Sequence, residues 1–252
     1  MKINRRKFLA ITGAAAATGL AGKGAADAVD SVKKKSRPQK RWGMVVDMRK
    51  CEKENGCTKC IDACHEYHNV PDIDNQKHEI KWIWKENFHN AFIEQENNML
   101  PEKFHHHPVL LLCNHCDNPP CTNVCPTQAT WRRDSDGIVM MDWHRCIGCR
   151  YCVAACPYGS RSFNFFDPKP HIEDIQDDFP TRSKGVVEKC SFCEERLSRG
   201  GWPACVEACS AGALVFGDLD DPDSEIRQVL KENFTIRRKP ELGTQPEVYY
   251  IV

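Results

Sequence analysis

Sixteen cysteines stand in four groups of four: Cys51, Cys57, Cys60, Cys64; Cys113, Cys116, Cys121, Cys125; Cys146, Cys149, Cys152, Cys156; and Cys190, Cys193, Cys205, Cys209. None is left over. The third group reads C-x2-C-x2-C-x3-C-P, closing on Cys156-Pro157, and this is the spacing with which thiolates hold iron-sulfur clusters. Three cysteines on a tight loop aim at one cluster, while the fourth, on a following helix, faces a neighbour. The chemistry expected is one-electron transfer.

In two-cluster ferredoxins the fourth cysteine of a run does ligate the other cluster. Every run here ends in C-x3-C, with the spacing before it widening to C-x4-C in the second run, C-x11-C in the fourth and an opening C-x5-C in the first. The endings form an internal repeat, and the longer gaps are expected to bulge outward. The runs are therefore expected to work in pairs and to hold four 4Fe-4S clusters. Runs two and three are the nearest in sequence and pair as an inner module, so that runs one and four close around it. Cys51, Cys57 and Cys60 then share a cluster with Cys209; Cys190, Cys193 and Cys205 take Cys64; Cys113, Cys116 and Cys121 take Cys156; and Cys146, Cys149 and Cys152 take Cys125.

Two other uses of cysteine compete. Disulfide scaffolds are typically short domains that lack a sufficient core, and 252 residues do not need one. Zinc takes four ligands from two C-x2-C pairs and does not call for a triplet with a distant fourth.

The elements that must position these ligands follow from local pattern. Residues 41–47 read as a strand entering the first loop, residues 129–133 and 138–141 as a hairpin around Asp134-Ser135-Asp136-Gly137, and residues 213–216 as a strand after the last run. Helices are expected between the third and fourth cysteines of each run, for example over 150–155. Ser224 is placed to cap a helix carrying Ile226, Val229 and Leu230 on one face, and the apolar tail ending Tyr249-Tyr250-Ile251-Val252 is expected to pack back on the chain. The fold class is α+β: two ferredoxin-like modules, one nested within the other. The outer module takes residues 41–65 and 188–252, the inner 108–167, with insertions at 66–107 and 168–187. The first insertion carries Trp82, Trp84, Phe88 and Phe92, read as a packing or subunit-contact surface, and His105-His106-His107, read as a solvated loop with metal or haem ligation as the alternative. His115 is placed either to donate toward a cluster or to pack its loop.

The first nine residues carry Arg5-Arg6 ahead of Phe8-Leu9, followed by an Ala/Gly-rich stretch. This looks like a twin-arginine export signal. The stretch is shorter than the roughly 20 residues that span a bilayer, and Ala26-Asp27-Ala28 offers a cleavage site, a retained anchor being the alternative. Residues 1–28 are the signal and 29–40 a basic linker. Cleavage removes five of the 35 basic residues and one of the 35 acidic ones, leaving a mature net charge of about −4. Nucleic acid is excluded as a partner on that balance. Export of a folded protein suits clusters built in a reducing cytoplasm.

The second run, Cys113-x2-Cys116-Asp117-Asn118-Pro119-Pro120-Cys121, and the third, through Cys156-Pro157-Tyr158-Gly159, resemble the four-cluster electron-transfer subunits of the DMSO reductase, polysulfide reductase and NrfC group. Within that group, the HNVP at 68–71, the RSFNFFDPKP at 161–170 and the terminal KPELGTQPEVYYIV are most similar to the branch found in membrane complexes of dissimilatory sulfur metabolism. The resemblance implies an NrfD-like integral membrane subunit that meets quinone, a multihaem cytochrome c subunit and further membrane-complex subunits as partners, on the periplasmic face of the membrane. The opening C-x5-C of run one departs from the family's commoner C-x2-C. No nucleophile with its base and no Rossmann or Walker fingerprint is present. The expected role is therefore a non-catalytic relay without a small-molecule substrate, the alternatives being a subunit of a periplasmic molybdopterin or nitrite reductase system, or a structural zinc protein.

Overall fold

The computed structural model describes residues 40–54, 56–95, 97–104 and 107–252. The export signal, its cleavage site, the linker up to residue 39, and His105 and His106 lie outside the described residues. Along the chain come β1 (Trp42–Asp47), α1 (Met48–Lys53), α2 (Lys59–Tyr67), β2 (Ile83–Asn87), α3 (Phe88–Ala91), β3 (Pro108–Leu112), α4 (Pro120–Asn123), β4 (Thr130–Arg132), β5 (Val139–Met141), α5 (Tyr151–Ala155), β6 (Ser162–Phe163), β7 (Val187–Glu188), α6 (Glu194–Ser198), α7 (Ala204–Glu207), β8 (Leu214–Asp218), α8 (Glu225–Glu232), β9 (Thr235–Ile236) and β10 (Val248–Ile251).

The largest sheet runs β8-β1-β10-β9. Its centre is β1, apolar over Met44-Val45-Val46 and buried on both faces, as a strand flanked on either side must be. It pairs antiparallel with β8, Val45 opposite Val215, and parallel with β10, Met44 opposite Val248. The apolar tail thus packs back, as an inner strand. At the end of β1 the Asp47 carboxylate accepts from the backbone N–H groups of Arg49 and Lys50, which starts α1. The remaining sheets are two-stranded, β4-β5 being the expected hairpin and β2-β3 pairing Trp84 with Leu111.

The residues of the first insertion are core. Trp82 and Phe92 are fully buried and Trp84 nearly so, packed with Leu110, Leu111 and Leu112, with Met44 and Tyr250, and with Cys60, Cys64, Cys190 and Cys205 in one cluster. Full burial of side chains this large contributes about 1.5–3 kcal/mol each, so of the two roles expected, packing and subunit contact, they take packing. On the other face of the sheet α8 lays Ile226, Val229 and Leu230 against Val45, Leu219 and Ile251. Ser224 precedes this helix without capping it: its hydroxyl donates to the carbonyls of Asp218 and Asp221 at 2.7 and 2.8 Å.

Candidate metal centres

The four cysteine loops share one backbone device. The residue before the second cysteine of every run is left-handed: Gly56 at φ 76°, His115 at 42°, Gly148 at 70° and Phe192 at 56°. Such a φ is uncommon outside glycine; here it turns the chain so that consecutive cysteines face one side. A helix then begins one residue before each third cysteine: Lys59 before Cys60, Pro120 before Cys121, Tyr151 before Cys152 and Ala204 before Cys205. The long gaps hold helices and are not simple bulges. Cys51 sits on α1, and the stretch between Cys193 and Cys205 contains α6.

Two of the expected quartets line cavities. Cys113, Cys116, Cys121 and Cys156 line one, together with Asn114, Tyr158 and Arg161. Cys51, Cys57, Cys60 and Cys209 line another. For the other two, the electrostatics give the neighbouring sulfurs of one cysteine in each. Burial, and then the nearness of Cys190, Cys205 and Cys193, pushes the Cys64 thiol well up. Cys152 is raised by burial, opposed by Arg161 and reinforced by Cys121, Cys146 and Cys125. Cys149 follows the left-handed Gly148 and is half-buried.

This donor set fits a thiolate-bound cluster. All sixteen cysteines are free thiols. Burial and neighbouring sulfurs push Cys60 up to about 12, and burial first, then Cys113, pushes Cys190 to the same value. Four such groups ionise together only around compensating positive charge. Zinc, at Zn–S of about 2.3 Å, draws its four sulfurs to within about 4 Å of one another. Among the described residues the only three candidate ligand atoms within 4.8 Å of one another belong to His68, Cys193 and Glu195. No three sulfurs of an expected quartet lie within 4.8 Å of one another, so they stand farther apart than a single zinc ion would draw them.

Donors already point at several sulfurs. The N–H groups of Phe192, Ala204 and Ala213 lie 3.4, 3.4 and 3.3 Å from Cys190, Cys193 and Cys209. At Cys125 burial raises the thiol, but the backbone of Thr130, the hydroxyl and N–H of Thr127 and the N–H of Ala129 outweigh it and hold the group below the ordinary value.

Several side chains at the centres were not predicted. His68, within the HNVP segment, places Nδ1 at 2.8 Å from the Cys64 carbonyl and Nε2 at 3.0 Å from Glu195, tying α2 to α6. The Lys85 ammonium donates to the Cys57 carbonyl. Arg161 reaches Cys121, and Lys189 is buried beside Cys190. Their types alone carry no signal in one sequence. His115 accepts the Val139 N–H at Nδ1, 3.1 Å away, and stacks on Phe192 with ring centres 3.8 Å apart. That is the loop-packing role. No helix of the described residues is long and apolar enough to cross a membrane.

A 4Fe-4S dicluster domain model matches residues 107–166 and 176–219. Over 98% of this chain and 97% of the relative, the sequence is 39% identical to the Hdr-like menaquinol oxidoreductase iron-sulfur subunit 1 of Archaeoglobus fulgidus. It is 38% identical to protein NrfC of Escherichia coli over 100% of this chain and 96% of that one. The iron-sulfur cluster-binding subunit of menaquinone reductase from Nitratidesulfovibrio vulgaris is 37% identical over 84% of this chain and 88% of the relative. The loops, the thiol quartets and these matches together establish that the chain belongs to the NrfC and DMSO reductase group of iron-sulfur subunits, proteins that bind 4Fe-4S clusters.

Proposed function

We propose that this protein is an exported wire: it carries four 4Fe-4S clusters in two pairs and relays electrons between a quinone-interacting membrane subunit and a cytochrome c, without catalysing a reaction itself. The observation that carries this reading is the sharing of ligands, since Cys156 joins the cavity of Cys113, Cys116 and Cys121 while Cys209 joins that of Cys51, Cys57 and Cys60. Such exchange builds pairs close enough for transfer. The same pattern supports nesting, with the inner pair drawn from runs two and three and the outer pair from runs one and four. The clusters supply reversible one-electron storage. The chain's own residues hold the thiolates, donate N–H groups to their sulfurs and exclude water.

Within the family the reading is DsrO, the iron-sulfur subunit of the DsrMKJOP sulfur-metabolism complex, with an NrfD-like membrane subunit and a multihaem cytochrome c as neighbours. The names of the menaquinol oxidoreductase and menaquinone reductase relatives support the quinone side. The paired Arg5-Arg6 support export by the twin-arginine route to the periplasmic side.

Iron and acid-labile sulfide assay, redox titration followed by electron paramagnetic resonance, and affinity purification from membranes test this together. About sixteen irons per chain are expected, four for each cluster, with a membrane subunit and cytochrome c co-purifying. Zinc without iron overturns the relay. A molybdopterin subunit as the principal partner overturns the DsrO assignment in favour of a periplasmic reductase.

A further inference from the structure

Two buried cations beside the cysteines have no task in a plain relay. Arg161 is 4% exposed and Lys189 2%. Arg161 lines the cavity of Cys113, Cys116, Cys121 and Cys156. Its Nη2 donates to Cys121 Sγ at 3.1 Å and to Thr130 Oγ1 at 2.7 Å, and its Nη1 lies 3.7 Å from Met141 Sδ. The Lys189 ammonium donates to the Val139 carbonyl and, at 2.8 Å, to that of Cys190. The groups of opposite charge that act on the two cations are cysteines: Cys121, Cys152 and Cys113 on Arg161, and Cys113, Cys190 and Cys121 on Lys189.

A buried charge is costly unless paired, and here the pairing groups are the cluster ligands. The sulfurs of Cys190, Cys193 and Cys209 receive backbone N–H groups, and that of Cys125 meets a hydroxyl. Cys121 receives a guanidinium.

We propose that Arg161, supported by Lys189, sets the potential of the cluster held by Cys113, Cys116, Cys121 and Cys156, raising it above what the four thiolates alone would give. The inference rests on the four-cluster reading above. Reduction brings one electron from a neighbouring cluster and adds one negative charge; no bond forms or breaks, and the guanidinium neither gains nor loses a proton. A fixed cation in contact with a ligand sulfur, in a medium of low dielectric, favours the more negative state. Thr130 aims the guanidinium. Lys189 is held on the Val139 and Cys190 carbonyls between Cys113 and Cys190, and burial and the nearby Arg161 hold its ammonium below the ordinary value.

The test is a redox titration of the whole cluster-loaded protein, followed by electron paramagnetic resonance, with Arg161→Met, Arg161→Lys and Thr130→Val. R161M is expected to lower one midpoint by at least tenfold in the reduction equilibrium, 59 mV for one electron, with iron content unchanged. R161K keeps the charge and is expected to recover more than half of that shift. T130V, which releases Nη2 and keeps the Thr130 backbone that serves Cys125, is expected to shift the same midpoint less, in the same direction. Full iron with every midpoint unmoved in R161M overturns the inference; if R161M does not assemble, every midpoint unmoved in T130V overturns it. Zinc in the wild-type protein overturns the four-cluster reading and this inference with it, whereas full iron and fixed potentials overturn this inference alone.

Discussion

The Arg182 guanidinium lies 2.6 Å from the Glu188 carboxylate, Nε to Oε2, with both side chains sealed from solvent. The same carboxylate accepts from Trp82 Nε1 at 2.8 Å and from Asn164, while Arg182 also donates to the carbonyls of His68 and Asn69. This network joins both insertions to the segment leading into the fourth run. Removing one partner leaves an uncompensated buried charge, so Glu188→Ala and Arg182→Met are each expected to destabilise by about 3–5 kcal/mol. The R182M/E188A double variant should fall short of the sum by more than about 1 kcal/mol. Denaturant midpoints of the four proteins check this; strict additivity would show the pair to be uncoupled.

Gly148 is left-handed, and a Cβ there would overlap the Gly185 carbonyl oxygen. Gly148→Ala must therefore displace backbone as well as strain φ. It is expected to reduce iron per chain and melting temperature together. Gly56→Ala is the control, because its Cβ would meet nothing within 4 Å; only the left-handed strain remains, about 1–2 kcal/mol. Equal iron loss in the two variants would refute the role given to the Gly185 contact.

The Glu247 carboxyl is pushed from 4.5 up to about 7 by burial, which outweighs the nearby Arg41, 3.3 Å away. Its folded pKa is raised, so between pH 4.5 and 7 the folded state holds a proton that the unfolded chain has released. The stability this group contributes is therefore present at low pH, falls as pH rises, and levels off above about 7. Glu247→Gln should remove that slope. The stability of E247Q relative to wild type is expected to increase by about 2 kcal/mol from about pH 5 to 7 and to stay constant above that. Melting curves across this range decide it, and parallel pH profiles would sink it.

Stripping the metal should collapse the fold. Cys60, Cys64, Cys190 and Cys205 sit within the principal core beside Trp82 and Phe192, and binding at structural metal sites is itself folding free energy. After oxidant and chelator treatment, far-ultraviolet circular dichroism is expected to lose most of its native signal and the protein to become protease-sensitive. A native-like spectrum free of iron would contradict the prediction.

What is legible in the sequence is local. The cysteine spacings announce the ligand loops, Asp134 to Gly137 announce the β4-β5 turn, and the apolar run of β1 announces a buried strand. Partnerships across long separations are not legible. Trp82 and Glu188 are 106 residues apart and Arg182 and Asn69 113, and no periodicity within either segment encodes such a contact. Polar-looking insertions read as additions to two modules because their charged residues dominate the pattern; in the fold their few tryptophans and phenylalanines point inward. Ser224 has the right type for a cap, but a closer pair of carbonyls takes its hydroxyl. At the centres, cysteine identity and spacing carry nearly all the signal, and the arginine that meets a sulfur and the lysine beside it are hidden among 35 basic residues.

The place of β10 between β1 and β9 bears on the order in which the molecule is made. A ribosome delivers β1 first and β10 only after all sixteen cysteines have emerged. The strand that leads into the first ligand loop waits for its parallel neighbour until the last ligand is available, so a chain stalled anywhere in between cannot close its central sheet. Completion of that sheet is thus a timestamp: it reports that all sixteen cysteines have been synthesised.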